Sequence, residues 1–191
     1  MKQKKGSMSS VKISENIKQS GTLREIWDWA QTIIIAVIIA LLIRSFLFEI
    51  ILVDGNSMAP TLFDRDRVFV NKIIYLLEEP SHGDIVIFKT PEDNKSNYVK
   101  RLIGLPGDRI KIENGIVYLN GDPLHEPYVE VPAINDYMEV TVPEGAFFAL
   151  GDNRNDSKDS RDFRIGFISM KNLVGKAVWR IWPLSNISPI Q

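Results

Sequence analysis

The longest apolar stretch of the chain is IIIAVIIALLI, at positions 33–43. These residues alone are too short to cross a hydrocarbon core, which takes about 20 residues of helix. Apolar residues on both sides lengthen the stretch, and Trp27 and Trp29 are typical interfacial anchors at its start. The pattern predicts a transmembrane helix over residues 29–47.

A cleavable signal peptide also carries a short apolar core, so it is the main alternative to an uncleaved anchor. Cleavage would need small residues soon after that core, yet residues 44–53 read RSFLFEIILV and are bulky at nearly every position. A buried core helix is the other alternative, but this stretch is apolar all round rather than along one stripe. We therefore expect an uncleaved signal anchor.

Basic residues are concentrated before the apolar stretch and predict its orientation. The first 24 residues contain six lysines and arginines, with Glu15 as the only acidic residue. The positive-inside rule places this end in the cytoplasm. The sequence thus predicts a single-pass cell-membrane protein, with a cytoplasmic tail (residues 1–28), a transmembrane anchor (residues 29–47) and an extracytoplasmic domain (residues 48–191).

Downstream of the apolar stretch, β signals replace helical periodicity. Asn114-Gly115 is a strong two-residue hairpin signal, and short helices are expected near residues 72–77 and 169–173. The predicted strands cover residues 46–53, 67–71, 84–89, 98–103, 109–113, 116–119, 138–142, 146–150 and 174–181. The fold class is therefore mainly β, a transmembrane helix followed by a compact antiparallel β domain of the barrel or sandwich type.

Composition narrows the chemistry that this domain can perform. The net charge is −1 and no basic stripe is interleaved with aromatic residues, so nucleic-acid binding is not expected. The absence of cysteine excludes disulfides, a thiol nucleophile and cysteine-bound metal. His82 and His125 each lack a second histidine at helical spacing, which excludes the zinc-helix patterns and leaves little room for a Ser-His-Asp triad. No metal or cofactor is expected.

Three polar patches remain as candidates for chemistry: GNSMAPTL at 55–62, YVKRLIGLPGD at 98–108 and GDNRNDSKDSR at 151–161. Ser57 in the first patch needs a base to become a nucleophile, and with histidine scarce a lysine is the candidate. A lysine becomes a base when apolar burial lowers its pKa. Taken alone, a serine in such a loop is ordinarily a turn residue, and a lysine in a strand is ordinarily a solvated outer residue. The S-x-x-K spacing of β-lactamase-like enzymes is absent.

Strand alternation gives Lys100 a suitable environment in the second patch. Tyr98 and Leu102 would point to the same face as Lys100 and form an apolar wall. Arg101 would point to the opposite face, where it can meet a carboxylate of the third patch.

The three patches, in this order after an N-terminal anchor, resemble the conserved boxes of bacterial type I signal peptidases, of the compact Gram-positive kind. GDIVIF at 83–88 resembles a further box of that family. The resemblance implies a mostly β catalytic domain with a smaller β excursion at about residues 108–144. It further implies a membrane-anchored serine endopeptidase that removes signal peptides from exported preproteins, cutting after an A-x-A site through an acyl-enzyme.

The resemblance also assigns roles, residue by residue. Ser57 matches the nucleophile and an oxyanion donor through its backbone N–H, and Lys100 matches the general base. The supporting residues are Ser157, which orients the lysine amine; Asp152, a structural carboxylate; and the ion pair of Asp159 and Arg161, with Arg101 nearby.

One position departs from part of that family. Some members carry a serine two residues before the nucleophile, whose hydroxyl helps to hold the oxyanion, whereas this chain has Gly55. A backbone donor or a water would then supply the second hydrogen bond. Asn56 could donate its side chain there, but the turn role of that side chain is favoured.

The implied partners are the signal peptides of secretory preproteins and the lipid bilayer, with an indirect link to the export machinery. Two alternatives stay open at this point. One is another Ser-Lys peptidase, such as a self-cleaving one, and the other is an inactive, membrane-tethered binding module.

Overall fold

A computed structural model describes residues 24–42 and 47–190. The first segment is one helix, α1 (Arg24–Leu42), of 19 residues. At 1.5 Å per residue it is about 28 Å long, close to the thickness of a hydrocarbon core. Its length and composition therefore suit a membrane span.

The helix begins five residues earlier than the predicted start at Trp29 because Arg24, Glu25 and Asp28 continue the helical turn beyond the apolar stretch. Most of the predicted cytoplasmic tail (residues 1–28) and the end of the predicted span (residues 43–46) lie outside the described residues.

The second segment is a β domain built from two antiparallel sheets. Its strands are β1 (Phe48–Leu52), β2 (Arg67–Asn71), β3 (Ile85–Lys89), β4 (Asn97–Gly104), β5 (Arg109–Glu113), β6 (Ile116–Leu119), β7 (Asp122–Pro123), β8 (Tyr137–Thr141), β9 (Ala146–Leu150), β10 (Ile168–Ser169), β11 (Leu173–Trp182) and β12 (Ser188–Pro189). The mainly β, antiparallel fold class predicted from sequence is confirmed.

The large sheet has the order β1-β2-β11-β3-β4-β9-β10, and β12 pairs with β11. In this described part of the chain β1 and β10 are the two ends of the path, so the sheet is open rather than a closed barrel. The small sheet has the order β7-β6-β5-β8 and lies within the predicted excursion at residues 108–144. Asn114 and Gly115 both have positive φ, as the tight hairpin between β5 and β6 requires.

Short helices occur close to both predicted places. α2 (Ile74–Leu77) follows β2, and a 3₁₀ turn (Met170–Asn172) joins β10 to β11. The two-residue strands β7, β10 and β12 were not predicted, because so few residues show no alternation.

Strands β3, β4 and β9 are buried on both faces, which explains the nearly continuous apolar sequences of β3 and β9. In β3, Ile85 and Ile87 join a core cluster on one face, whereas Val86 and Phe88 join a second cluster on the other. A third cluster lies beneath the small sheet, around Ile110 and Phe148. The central strands are thus held from both sides, and β4 carries the predicted base within this fixed framework.

Replacing Phe88 by alanine tests this packing. Phe88 is 0% exposed and packs edge-on against Phe147, with ring centroids 5.6 Å apart. We expect Phe88→Ala to lower the free energy of unfolding by about 3–5 kcal/mol. Phe163→Ala, at a side chain that is 93% exposed, should leave it close to wild type. Urea unfolding of the detergent-solubilised protein measures both, and equal losses would contradict the core assignment.

Candidate active site

The loop after β1 carries Ser57 and is fixed at several points. Met58 and Leu62 are buried in the core and anchor the turn, with Leu62 N–H donating to the Met58 carbonyl at 2.9 Å. The Asn56 side-chain oxygen accepts from Asp64 N–H at 3.3 Å, in agreement with its turn role. The Ser57 carbonyl accepts from Asn153 N–H at 3.1 Å, which ties the serine loop to the third patch.

Lys100 is buried on β4 and meets Ser57. Its side chain is 4% exposed, and its amine donates to Ser57 Oγ at 2.6 Å and to the Val99 carbonyl at 3.0 Å. The amine also lies 5.4 Å from the centre of the Tyr98 ring, on the wall that strand alternation predicts. The structure therefore brings the predicted nucleophile and base into direct contact.

Burial is the main reason that the pKa of Lys100 is lowered from 10.5 to about 8. The carboxylates of Asp159 and Asp152 act in the opposite direction because they favour the ammonium, while the Arg161 guanidinium lowers the pKa further. The result is an amine that can lose and regain a proton near neutral pH.

Ser157 lies at the site but does not contact Lys100 through a hydrogen bond. Its hydroxyl oxygen is buried and has no hydrogen-bond partner among residues 24–42 and 47–190. The hydrogen bond between Ser157 and Lys100 that the resemblance implies is not formed, and the lysine amine donates to Ser57 and Val99. A Cβ at Gly151 would collide with Ser157 Oγ and with the Ser57 carbonyl, so glycine is required where these segments meet.

Arg101, the neighbour of Lys100, points to the opposite side of β4 and pairs with Asp152. The guanidinium donates two hydrogen bonds to this carboxylate, at 2.9 and 2.8 Å, and both side chains are almost completely buried. Thr61 donates to the same carboxylate at 2.5 Å, and the Gly83 carbonyl accepts from Arg101 at 2.9 Å. This paired, multiply bonded arrangement joins the serine loop, β4 and the third patch.

The second predicted ion pair is also formed. Arg161 donates to Asp159 at 2.8 and 2.7 Å, and Asp159 accepts from the backbone N–H of Gly151 at 3.0 Å. The pair fixes the turn that contains Ser157 and keeps a buried carboxylate near the lysine.

Sequence reasoning missed a third network, which reaches the site from the small-sheet region. Arg154 is 2% exposed and donates to Glu126 at 2.7 and 2.6 Å and to the Gly151 carbonyl at 2.9 Å. Tyr128 donates to Glu126 at 3.0 Å, and its ring lies 3.7 Å from the Arg101 guanidinium carbon. Glu126 and Tyr128 lie in an irregular loop, so no periodicity in the sequence points to them.

A cleft of about 410 Å³ leads to Ser57 and Lys100. It is lined by residues 51–54, 57, 58, 96–100 and 158. Two unpaired strand edges border it. β1 pairs with β2 alone, and β9 pairs with β4 only from Arg101 onward, which leaves one edge of residues 97–100 open.

A larger cleft of about 710 Å³ lies beside α2 and the start of β11, and neither Ser57 nor Lys100 lines it. Size alone would favour it as a binding site, but the contact between Ser57 and the buried Lys100 makes the smaller cleft the candidate active site. No cluster of three or more metal-ligating side chains occurs in the part of the chain that the structure describes.

Removing the Asp152 charge tests the buried pair. Asp152→Asn takes away the carboxylate that faces the Arg101 guanidinium, and we expect the free energy of unfolding to fall by about 3–5 kcal/mol. Glu113→Gln, in the exposed Lys111–Glu113 pair on β5, is the matched control and should change stability little. Urea unfolding compares the two, and a small loss at Asp152 would show that the pair does not hold the site together.

The sequence of the chain is similar to those of known signal peptidases. The family model described as "Signal peptidase, peptidase S26" matches residues 26–182. Signal peptidase I of Bacillus licheniformis is 43% identical over 180 residues, covering 89% of this chain and 96% of the relative. Signal peptidase I T of Bacillus subtilis (strain 168) is 42% identical over 170 residues, covering 84% and 87%.

A solved signal peptidase I from Enterococcus faecalis is 34% identical and covers 52% of this chain and 97% of its own, with a TM-score of 0.46. On the family match and the identities to the curated relatives, this chain belongs to the signal peptidase family, peptidase S26, and is a serine endopeptidase.

Proposed function

We propose that this peptidase removes N-terminal signal peptides from exported preproteins, with Ser57 as nucleophile and Lys100 as general base. The observation that carries the proposal is the 2.6 Å contact between Lys100 Nζ and Ser57 Oγ, made by a buried lysine. The curated relatives named signal peptidase I support the choice of substrate.

The reaction proceeds through an acyl-enzyme. Neutral Lys100 accepts the Ser57 proton as Ser57 Oγ bonds to the carbonyl carbon of residue −1, the last residue of the signal peptide. The Lys100 ammonium then protonates the departing amine, which becomes the N-terminus of the mature protein. Water, deprotonated by the same lysine, hydrolyses the ester and regenerates Ser57.

The developing oxyanion needs hydrogen-bond donors, and we assign one of them to the Ser57 backbone N–H. Gly55 has no hydroxyl to offer, so the second donor comes from another backbone N–H or from a water. The fixed position of the loop supports this role, since its donor needs no reorganisation during the reaction.

The supporting residues act on the position and the proton affinity of Lys100. The Arg101–Asp152 and Arg161–Asp159 pairs hold β4 and the third patch in place. Ser157 is assigned to the orientation of the lysine amine, and this assignment is supported by its buried hydroxyl, which no other group of residues 24–42 and 47–190 hydrogen-bonds. This role is distinct from proton transfer.

The substrate binds as an extended strand between the two open edges of β1 and β4. In an extended peptide the side chains alternate, so residues −1 and −3 point to the same side, into the cleft. Its inner wall contains Val53 and Met58, which are almost fully buried and leave only shallow apolar space. Small residues at both positions, the A-x-A pattern, suit such space.

The enzyme is anchored by α1, and the basic tail supports a cytoplasmic N-terminus with the β domain on the outer side.

One face of the large sheet is suited to the lipid bilayer. Ile50 and Trp179 lie in one row across β2, and Leu52 and Trp182 lie in the next. These side chains are about half exposed, and tryptophan favours the membrane interface. The link to the export machinery is indirect, through the shared preproteins.

Substitution of the two reacting residues tests the assignment. We expect Ser57→Ala and Lys100→Ala each to reduce cleavage of a purified preprotein with an A-x-A site by at least about 10³-fold. Cleavage would be measured in detergent or liposomes, and sequencing of the new N-terminus would locate the cut.

Matched variants outside the site are Ser169→Ala, at an exposed 3₁₀-turn cap, and Lys111→Ala on β5. Both should cleave at the wild-type rate. Undiminished cleavage by either site variant would show that Ser57 and Lys100 are not the nucleophile and base.

The rate should depend on pH through Lys100. The neutral amine is the active form, so kcat/KM rises with pH around the pKa of about 8 and is lost as the lysine protonates below it. Asp159→Asn should move the midpoint to lower pH, because it removes a charge that favours the ammonium. The profile would be recorded from pH 6 to 10, and a midpoint near that of free lysine would contradict the assignment.

A further inference from the structure

Lys158 is a charged side chain of the cleft that the proposed chemistry does not use. It lies between Ser157 and Asp159 in the third patch, and it lines the cleft together with Ser57 and Tyr98. Its side chain is 31% exposed, which places it at the mouth rather than on the buried floor. A charged group at this position is close to any peptide that enters the cleft.

The Lys158 ammonium forms an ion pair with Glu92, whose side chain is 32% exposed. Glu92 belongs to the loop between β3 and β4, and it does not line the cleft. A peptide in the cleft is therefore closer to the Lys158 side chain than to the Glu92 side chain.

The loop that carries Glu92 is held in a defined shape. Asp93 accepts from the N–H groups of Lys95 and Ser96 at 2.9 and 3.0 Å and from the Ser96 hydroxyl at 2.6 Å. Thr90 N–H donates to the Ser96 carbonyl at 2.9 Å, which closes the loop at its base. Glu92 is thus presented at one place, and the pair joins this loop to the third patch.

Alternation along the bound peptide decides which substrate side chain Lys158 meets. If residues −1 and −3 point into the cleft, residue −2 points outward, to its mouth. Lys158 lines the cleft together with Asn97 and Tyr98, which belong to the open edge of β4 along which the proposed peptide lies.

We propose that Lys158, backed by Glu92, is a specificity residue that reads the charge of substrate residue −2, favouring acidic over basic side chains. This inference rests on the proposed function and adds a second rule to the requirement for small residues at −1 and −3. Asp54 also lines the cleft and carries the opposite charge. Changing Lys158 alone isolates the contribution of the lysine.

Three preproteins that differ only at residue −2, with glutamate, glutamine or lysine, provide the test. For the wild-type enzyme in detergent at low salt we expect kcat/KM to be about fivefold higher for the glutamate than for the lysine substrate, the size of effect given by partly exposed charges. The ratio should approach one in 0.5 M salt, because ions screen such charges. This ratio of kcat/KM values does not depend on the amount of folded enzyme, because both substrates are assayed with the same enzyme preparation.

A charge swap distinguishes two roles of Lys158: recognition of the substrate charge, and a purely structural role in the ion pair with Glu92. Lys158→Glu should invert the preference, and the double variant Lys158→Glu with Glu92→Lys should keep it inverted while restoring an ion pair. If the pair only holds the loop, the double variant would return to the wild-type ratio, and the proposal would be wrong. Lys111→Glu, which changes the exposed pair with Glu113 on β5, is the matched control and should leave the ratio unchanged.

The glutamine substrate separates this proposal from the proposed function. If the wild-type enzyme cleaves it and the glutamate-to-lysine ratio is one at low salt, only the role of Lys158 is overturned. If the wild-type enzyme does not cleave it at all, the proposed function fails, and the specificity proposal fails with it.

Discussion

The removal of one lysine amine from water is the constraint on which the rest of the site depends. Burial disfavours the ammonium of Lys100 and makes the amine a usable base, but a buried amine must also be held in place. Its two hydrogen bonds fix it against Ser57 and the Val99 carbonyl. Asp159 and Asp152 limit the fall in the pKa of Lys100, so that in the proposed reaction the amine can take up the serine proton and return it to the leaving group.

Strand β4 connects this chemistry to the stability of the domain. Successive side chains on a strand point to opposite faces, so Lys100 and Arg101 serve different purposes although they are neighbours. Lys100 faces Ser57, while Arg101 faces Asp152 and the Tyr128 ring. A shift of β4 by one residue would exchange the two faces and destroy both arrangements. The base and its support are therefore fixed by the same register.

The features that the sequence predicts well are those with local or periodic causes. Alternation placed Arg101 opposite Lys100, and the Asn114-Gly115 pair indicated its hairpin. Glu126 and Tyr128 could not be found in this way, because their contacts with Arg154 and Arg101 join distant segments and follow no spacing. The orientation of Ser157 was likewise inaccessible, since side-chain rotation depends on packing against Gly151. Motifs thus point to the candidate reacting groups, whereas the irregular loops around them are found only from the three-dimensional structure.

The two open strand edges beside the cleft have a consequence for what the enzyme leaves intact. Unpaired edges normally attract other sheets, but a gap bordered on both sides accepts only a single chain. In a folded domain the strands are already paired with one another, so no strand is available to bind in the cleft. In the proposed reaction, a folded protein therefore resists cleavage because of its tertiary structure, even where it contains suitably spaced small residues. Only an unfolded segment can be cleaved.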